Sequence, residues 1–199
     1  MKSRWIPWVA GILLSVMCQS PFSTREAEPP LSTVINWIPP TDPRLVLENL
    51  TNAIQNCNVA YYIRCMNDQF RFKADENELS SHNPDAWKYK DWDFQVEQEV
   101  ITRMFNLFRD TVRVDNQVIE MDLTRTDQAD IESPHDSTRI YRSYQINLYH
   151  SYPEYPTVTK GTFIFILQED AGGFWSISGW EDIKQDTLDW GAFKGMFRY

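Results

Sequence analysis

The second half of the chain alternates with a period of two. From residue 138 to residue 150, Ile140, Tyr144, Ile146 and Leu148 share one parity, and side chains two apart on a strand point to the same face. In "TVTKGTFIFILQE" the pattern changes: between Phe163 and Leu167 both parities are apolar, the mark of a strand covered on both sides. That strand is central. Upstream, residues 111 to 125 carry Val112, Val114, Ile119, Met121 and Leu123, with a change of phase near Asn116 that predicts a bulge. Residues 174 to 183 give the last strand. Four strands in succession predict a largely antiparallel sheet.

Helices precede this sheet. Asp42-Pro43 is a helix start, a capping carboxylate followed by proline in the first turn, and Val46, Leu47, Leu50 and Ile54 then form a helical stripe. Asn56 and Asn58 interrupt it, and "VAYYIRCMN" reads as a short second helix. "DQFRFK" places Phe70 and Phe72 as a strand does, and residues 74 to 91 read as a long polar loop. From Trp92 to Phe108 a third helix buries Val96, Val100, Met104 and Phe108. Helix, helix, strand, helix and four strands make an α+β order.

Composition narrows the function. The 28 acidic residues exceed the 19 Lys and Arg, giving a formal net charge of −9, and no basic stripe offsets this, so nucleic acid is not an expected partner. His82, His135 and His150 lie too far apart to suggest metal-ligand spacing, and neither a metal nor a cofactor is expected. Two cysteines fall inside the helical region. On one continuous helix Cys57 and Cys65 would lie about 12 Å apart, out of disulfide reach. A break near Asn58 would bring them closer, and two buried free thiols are the alternative.

The N-terminus reads as an export signal. Lys2 and Arg4 precede an apolar stretch from Trp5 to Met17, too short for a bilayer span but suited to the core of a signal peptide. Residues 1–18 resemble a bacterial lipoprotein signal with Cys18 as the lipidated residue. Simple cleavage with secretion, and a retained anchor, are the alternatives. Residues 19–41 hold five prolines and no sustained period, a linker from which Trp37 and Ile38 can still reach the domain. The domain proper is 42–199. The expected address is the bacterial cell envelope, as a periplasm-facing or outer-membrane lipoprotein.

The element order, "PRLVLENLTNAIQNCNVAYYIRCMNDQFRF" (43 to 72) and "GTFIFILQEDAGGFWSISGWEDI" (161 to 183) resemble the NTF2-like superfamily, which includes ketosteroid isomerases and SnoaL-type polyketide cyclases. More narrowly, the chain is similar to envelope proteins of that superfamily with lipoprotein-type signals. The resemblance implies three N-terminal helices packed on a strongly curved, mainly antiparallel sheet, leaving a conical pocket. It also implies pairing of two copies through their sheets. Gly179, between Trp175 and Trp180, is a candidate bulge that lets the sheet bend.

Enzymes of this superfamily place an acid or base in the apolar cone, where loss of water raises a carboxylate pKa. Candidates for that role are Tyr61, His150 and Asp182. Tyr61 and Tyr62 are helical neighbours, so only one faces inward. Glu181 and Asp182 are strand neighbours and point to opposite faces, so they cannot form a dyad unless a bulge intervenes. Tyr62, Trp87, Tyr144, Trp175 and Trp180 are the candidate ligand-lining residues, with Trp87 on a loop that would cover the cone mouth. No complete catalytic constellation emerges. The leading expectation is a lipid-anchored, non-enzymatic module binding a small apolar ligand or a protein partner. An isomerase, dehydratase or cyclase is the first alternative, and a scaffold with a filled cone is the second.

Overall fold

The computed structural model of this protein describes residues 37–109, 118–133, 137–185 and 188–199. Cys18, the export signal, the linker up to residue 36, the phase change near Asn116 and His135 lie outside them. From Trp37 onward the described residues belong to one compact unit.

Helix α1 (Pro43–Gln55) starts where the sequence places it. The Asp42 side chain caps it by accepting from the Arg44 amide at 2.8 Å, and Pro43 needs no hydrogen-bond partner in the first turn. It ends in a left-handed turn at Cys57 (φ 48°), where the Asn58 amide reaches back to the Ala53 carbonyl at 2.8 Å. This break separates α1 from α2 (Val59–Arg64), which Asn58 caps in turn. Cys57 and Cys65 are both buried free thiols.

Strand β1 (Met66–Lys73) follows. The stretch from 74 to 91, expected to be a plain loop, instead holds helix α3 (Glu76–Leu79) and a 3-10 turn at Ala86–Tyr89. Helix α4 (Phe94–Arg109) buries Val100, Met104 and Phe108 as expected, but Glu97 as well. Among the described residues five strands come next rather than four: β2 (Ile119–Arg125), β3 (Ile131–Ser133), β4 (Ser137–Leu148), β5 (Val158–Glu169) and β6 (Trp175–Lys184). The extra strand, β3, has three residues and too little length to show a period.

The sheet runs in the order β1-β6-β5-β4-β2, with β3 on the same edge of β4 that β2 occupies further along. β1 and β6 are parallel and all other pairs are antiparallel. β5 is central, as its doubly apolar sequence requires. The bend comes from the bulge expected at Gly179. Ile166 pairs with Gly179 but Leu167 pairs with Ile177, so Ser178 is the extra residue. Ile177 and Trp180 thereby reach the same inner face despite their opposite parity. A Cβ on residue 179 would meet Ile166 Cδ1 at 2.9 Å and its Cβ at 3.3 Å, so any larger residue there must displace the Ile166 side chain.

The three expected helices cover the concave face, but a fourth element completes the layer. Residues 188–199 turn back under the sheet through α5 (Trp190–Gly195), a helix not anticipated from the sequence. It buries Trp190, Phe193 and Lys194 completely, and Phe197 follows them into the core.

Candidate functional site

The inner face of the sheet contributes Phe163 and Phe165 from β5, Tyr144 from β4, and Trp180 and Asp182 from β6. Tyr62 of α2 and Glu97 of α4 face them. In an open cone these side chains would surround a cavity. Here Tyr62, Glu97, Phe163, Phe165, Trp180, Trp190, Phe193 and Lys194 are each 0% exposed, so no water-sized void touches them. The centre of the cone is occupied by α5.

Two polar knots hold α5 in place. In the first, Lys194 Nζ donates to both Glu97 oxygens at 2.8 and 2.9 Å, and Trp92 Nε1 donates to Glu97 Oε2 at 2.6 Å. The Tyr62 hydroxyl donates to Glu97 Oε1. Both carboxylate oxygens are therefore satisfied. The ammonium also lies 3.5 Å from the Phe72 ring centroid and 4.8 Å from that of Trp180, so aromatic faces replace part of its lost hydration. Burial pushes the Lys194 pKa down, against the pull of Glu97, and pushes the Tyr62 phenol well up, helped by the Glu97 charge.

The second knot joins strands to the α5 backbone. The Tyr144 hydroxyl donates to Asp182 Oδ1 at 2.9 Å and accepts from the Trp190 amide at 2.7 Å. The Gly191 amide donates to Asp182 Oδ2 at 2.6 Å. Burial first, then the charge of Asp189, raises the Asp182 pKa well above the carboxylate range. An acid and a phenol thus sit side by side in a dry interior, the chemistry a general acid–base site needs. Both are already engaged by backbone amides of α5.

The sequence candidates separate accordingly. Tyr62, Tyr144, Trp180 and Asp182 meet inside the cone: the Tyr62 and Trp180 ring centroids are 6.4 Å apart, and Tyr144 stacks on Phe163 at 3.6 Å. Tyr61 points the other way and packs on Trp37. His150 sits in an aromatic cluster with Phe108, Tyr152 and Tyr155. Its Nδ1 accepts from the Tyr152 amide at 3.2 Å, which fixes the proton on Nε2 for donation to the Pro156 carbonyl at 2.9 Å. Its lone pair is in use. Trp87 is 54% exposed beside Lys88. Glu181 faces outward to Lys73 at 3.6 Å, so it and Asp182 form no dyad. Glu97, Asp189 and Lys194 went unnoticed. Asp189 before "WGAFKGMF", with Trp190, Phe193 and Phe197 at helical spacing, was the available signal. Among the described residues no group of three His, Cys, Asp or Glu could hold a metal ion.

An open cavity of about 680 Å³ lies elsewhere, where the first residues of β1 and β6 meet the last residues of β5. Residues 37–40 form one wall, tied down by the Trp175 amide to the Pro40 carbonyl at 2.7 Å and by paired bonds between Asn49 and the Ile38 backbone. Between Met66 and Arg71, β1 bows away from β6 and presents Asn67, Asp68 and Gln69 to the cavity. Trp175, half-buried against the core, lines this cavity.

Solved structures with the same arrangement exist. A provisional scytalone dehydratase from Novosphingobium aromaticivorans superposes with a TM-score of 0.55 at 7% identity, covering 74% of this chain and 85% of that one. An NTF2-like protein of unknown function from Shewanella oneidensis gives 0.50 at 10% identity, over 74% of this chain and 100% of that one. The chain has the NTF2-like fold. A provisional aromatic ring hydroxylase from N. aromaticivorans gives 0.51 at 9% identity, covering 74% and 89%. No family model matches the sequence, and no match is found among curated proteins. At such identities the likeness concerns the fold alone. Within that fold, α5 takes up the hollow.

Proposed function

We propose that this protein is a non-catalytic NTF2-like binding module, exported and held at the envelope membrane through Cys18, in which the cone serves as core and binding takes place on the outside. The observation that carries this reading is the seating of α5. The acid–phenol pair Asp182–Tyr144 is bonded to the Trp190 and Gly191 amides, and the surrounding side chains have no exposed surface. A substrate would have to displace the buried Lys194–Glu97 pair and the buried Trp190, Phe193 and Phe197 before reaching either group. This departs from the expectation of a small apolar ligand inside the cone. A homodimer through the outer sheet face, where Ile164 and Ile166 are half-buried and Ile183 is 44% exposed, is proposed with it.

Native-state amide hydrogen exchange tests the reading. If α5 is core, the Trp190 and Gly191 amides exchange only with global unfolding. Exchange through a cheaper, local opening would favour a second reading, drawn from that same buried pair: an isomerase or dehydratase whose Asp182 and Tyr144 act when α5 swings out. Lipidation is tested separately by Cys18→Ser, which should release the protein from membranes; an unchanged membrane fraction counts against the anchor.

A further inference from the structure

We infer that the outer cavity between residues 37–40 and the first turns of β1 and β6 is a binding site for a short neutral oligosaccharide. Its size falls within the range of about 300–1,000 Å³ usual for small-molecule sites. The two halves of its lining differ in chemistry. Trp37, Phe174 and Trp175 supply aromatic surface, and Phe174 is 44% exposed. The same lining holds the amides of Asn67, Gln69 and Gln168 and the carboxylates of Asp68 and Glu169.

The charge balance selects among ligand classes. An anion would meet three carboxylates, Asp68, Glu169 and Asp170, against one guanidinium, that of Arg64. A cation is attracted by those carboxylates, but Arg64 lies over the Trp37 ring with its guanidinium carbon 4.3 Å from the centroid, so that aromatic face already carries a positive charge. Asp170 is engaged as well, its Oδ1 accepting from the Gly172 and Phe174 amides at 2.8 and 3.0 Å. A purely apolar ligand would bury the amides without partners. Sugar rings answer both halves: their hydroxyls donate and accept, which suits amides and carboxylates together, and their C–H faces lie on aromatic rings.

The local backbone holds these groups ready. Asn67 Oδ1 accepts from the Gln69 amide at 3.0 Å, and Asn67 Nδ2 reaches Ser176 Oγ at 3.3 Å, so the bow in β1 is pinned to β6. Among the described residues, no intramolecular hydrogen bond engages the side chains of Asp68, Gln69 or Glu169. They remain available to a ligand.

The site does not depend on α5, and its test is separate from that of the plugged cone. Calorimetry and ligand-observed NMR with cellotetraose, maltotetraose and chitotetraose on the folded protein should show saturable binding of at least one. Phe174→Ala and Gln69→Ala remove exposed side chains and leave the core intact. Each should weaken that binding about tenfold or more, with the melting temperature unchanged. Absence of saturable binding for all three sugars overturns the inference. So does wild-type affinity in both variants, or saturable binding of spermidine or inorganic phosphate in place of any sugar. Failure here would leave the hydrogen-exchange result for α5 untouched.

Discussion

Lys194→Met is the substitution that most directly interrogates the interior. Methionine keeps the length of the apolar stem, while the ammonium's contacts with the Phe72, Trp92 and Trp180 rings go with the charge. What it removes is, among the described residues, the only cation bonded to Glu97, whose carboxylate is 0% exposed and there retains the Tyr62 hydroxyl and the Trp92 indole N–H. Breaking a buried pair by removing one member costs about 3–5 kcal/mol, mostly because the other charge stays behind. For a chain of this size each kcal/mol lowers the melting temperature by about 2–4 °C, so a fall of about 6–20 °C is expected. Adding Glu97→Gln should restore much of the loss. The amide oxygen can accept from Trp92 while the amide nitrogen donates to the Tyr62 oxygen, and no charge remains. Urea denaturation of the wild type, both single variants and the double variant closes a cycle in which the coupling should reach about 2 kcal/mol or more. A Lys194→Met protein within about 0.5 kcal/mol of wild type would mean that the lysine is at the surface, and the account of the filled cone would fail.

Three further outcomes are expected. Gly161→Ala would place a Cβ 2.7 Å from both the Ile183 carbonyl oxygen and the Tyr144 hydroxyl, and should cost about 1–3 kcal/mol in the same urea assay; a neutral result would refute the tight β5–β6 approach. Because the folded Asp182 holds its proton above the usual value of 3.8, the native state binds more protons than the unfolded chain above that pH, so stability falls as pH rises from there. Asp42, lowered to about 2, works the other way and loses its contribution only as pH drops through that value. Unfolding measured from about pH 4 to pH 7 should show a decline that Asp182→Asn flattens, and parallel profiles would contradict the assignment. Finally, burial pushes the Cys57 thiol up to about 12 and that of Cys65 higher, so neither should be alkylated at about pH 8 until the protein is unfolded. Rapid labelling of either in the native state would show that the thiol is not buried.

Much of the frame was legible because it obeys short-range periodicities. Asp42-Pro43 marked α1, the doubly apolar run from Phe163 to Leu167 marked the central strand, and Gly179 marked the bend, each from residues within a few positions of one another. Glu97, Asp189 and Lys194 were illegible for the converse reason. Glu97 sits among Gln95, Gln98 and Glu99 and reads as part of a solvated helix face, while the lysine that makes its burial tolerable lies 97 positions further on. Six residues of α5 are also too few for a convincing helical period. Trp175 was expected in the cone with Trp180, and the two do belong to one strand. Ser178 as the extra residue sets the inner face for Trp180, whereas Trp175 lies beyond the bulge, where β1 has bowed away and opened the outer cavity.

The seating of α5 also orders events during synthesis. Until residue 194 has left the ribosome, every growing chain carries Glu97 without its lysine partner and a concave sheet that still lacks the α5 part of its cover. Such intermediates leave the Trp180 ring without Lys194 beside it, and are the forms that chaperones and proteases would meet. Deletions that remove residues 188–197 should therefore yield insoluble or degraded protein. A peptide fused after Tyr199, which is 82% exposed, hangs in solvent and leaves the closure intact.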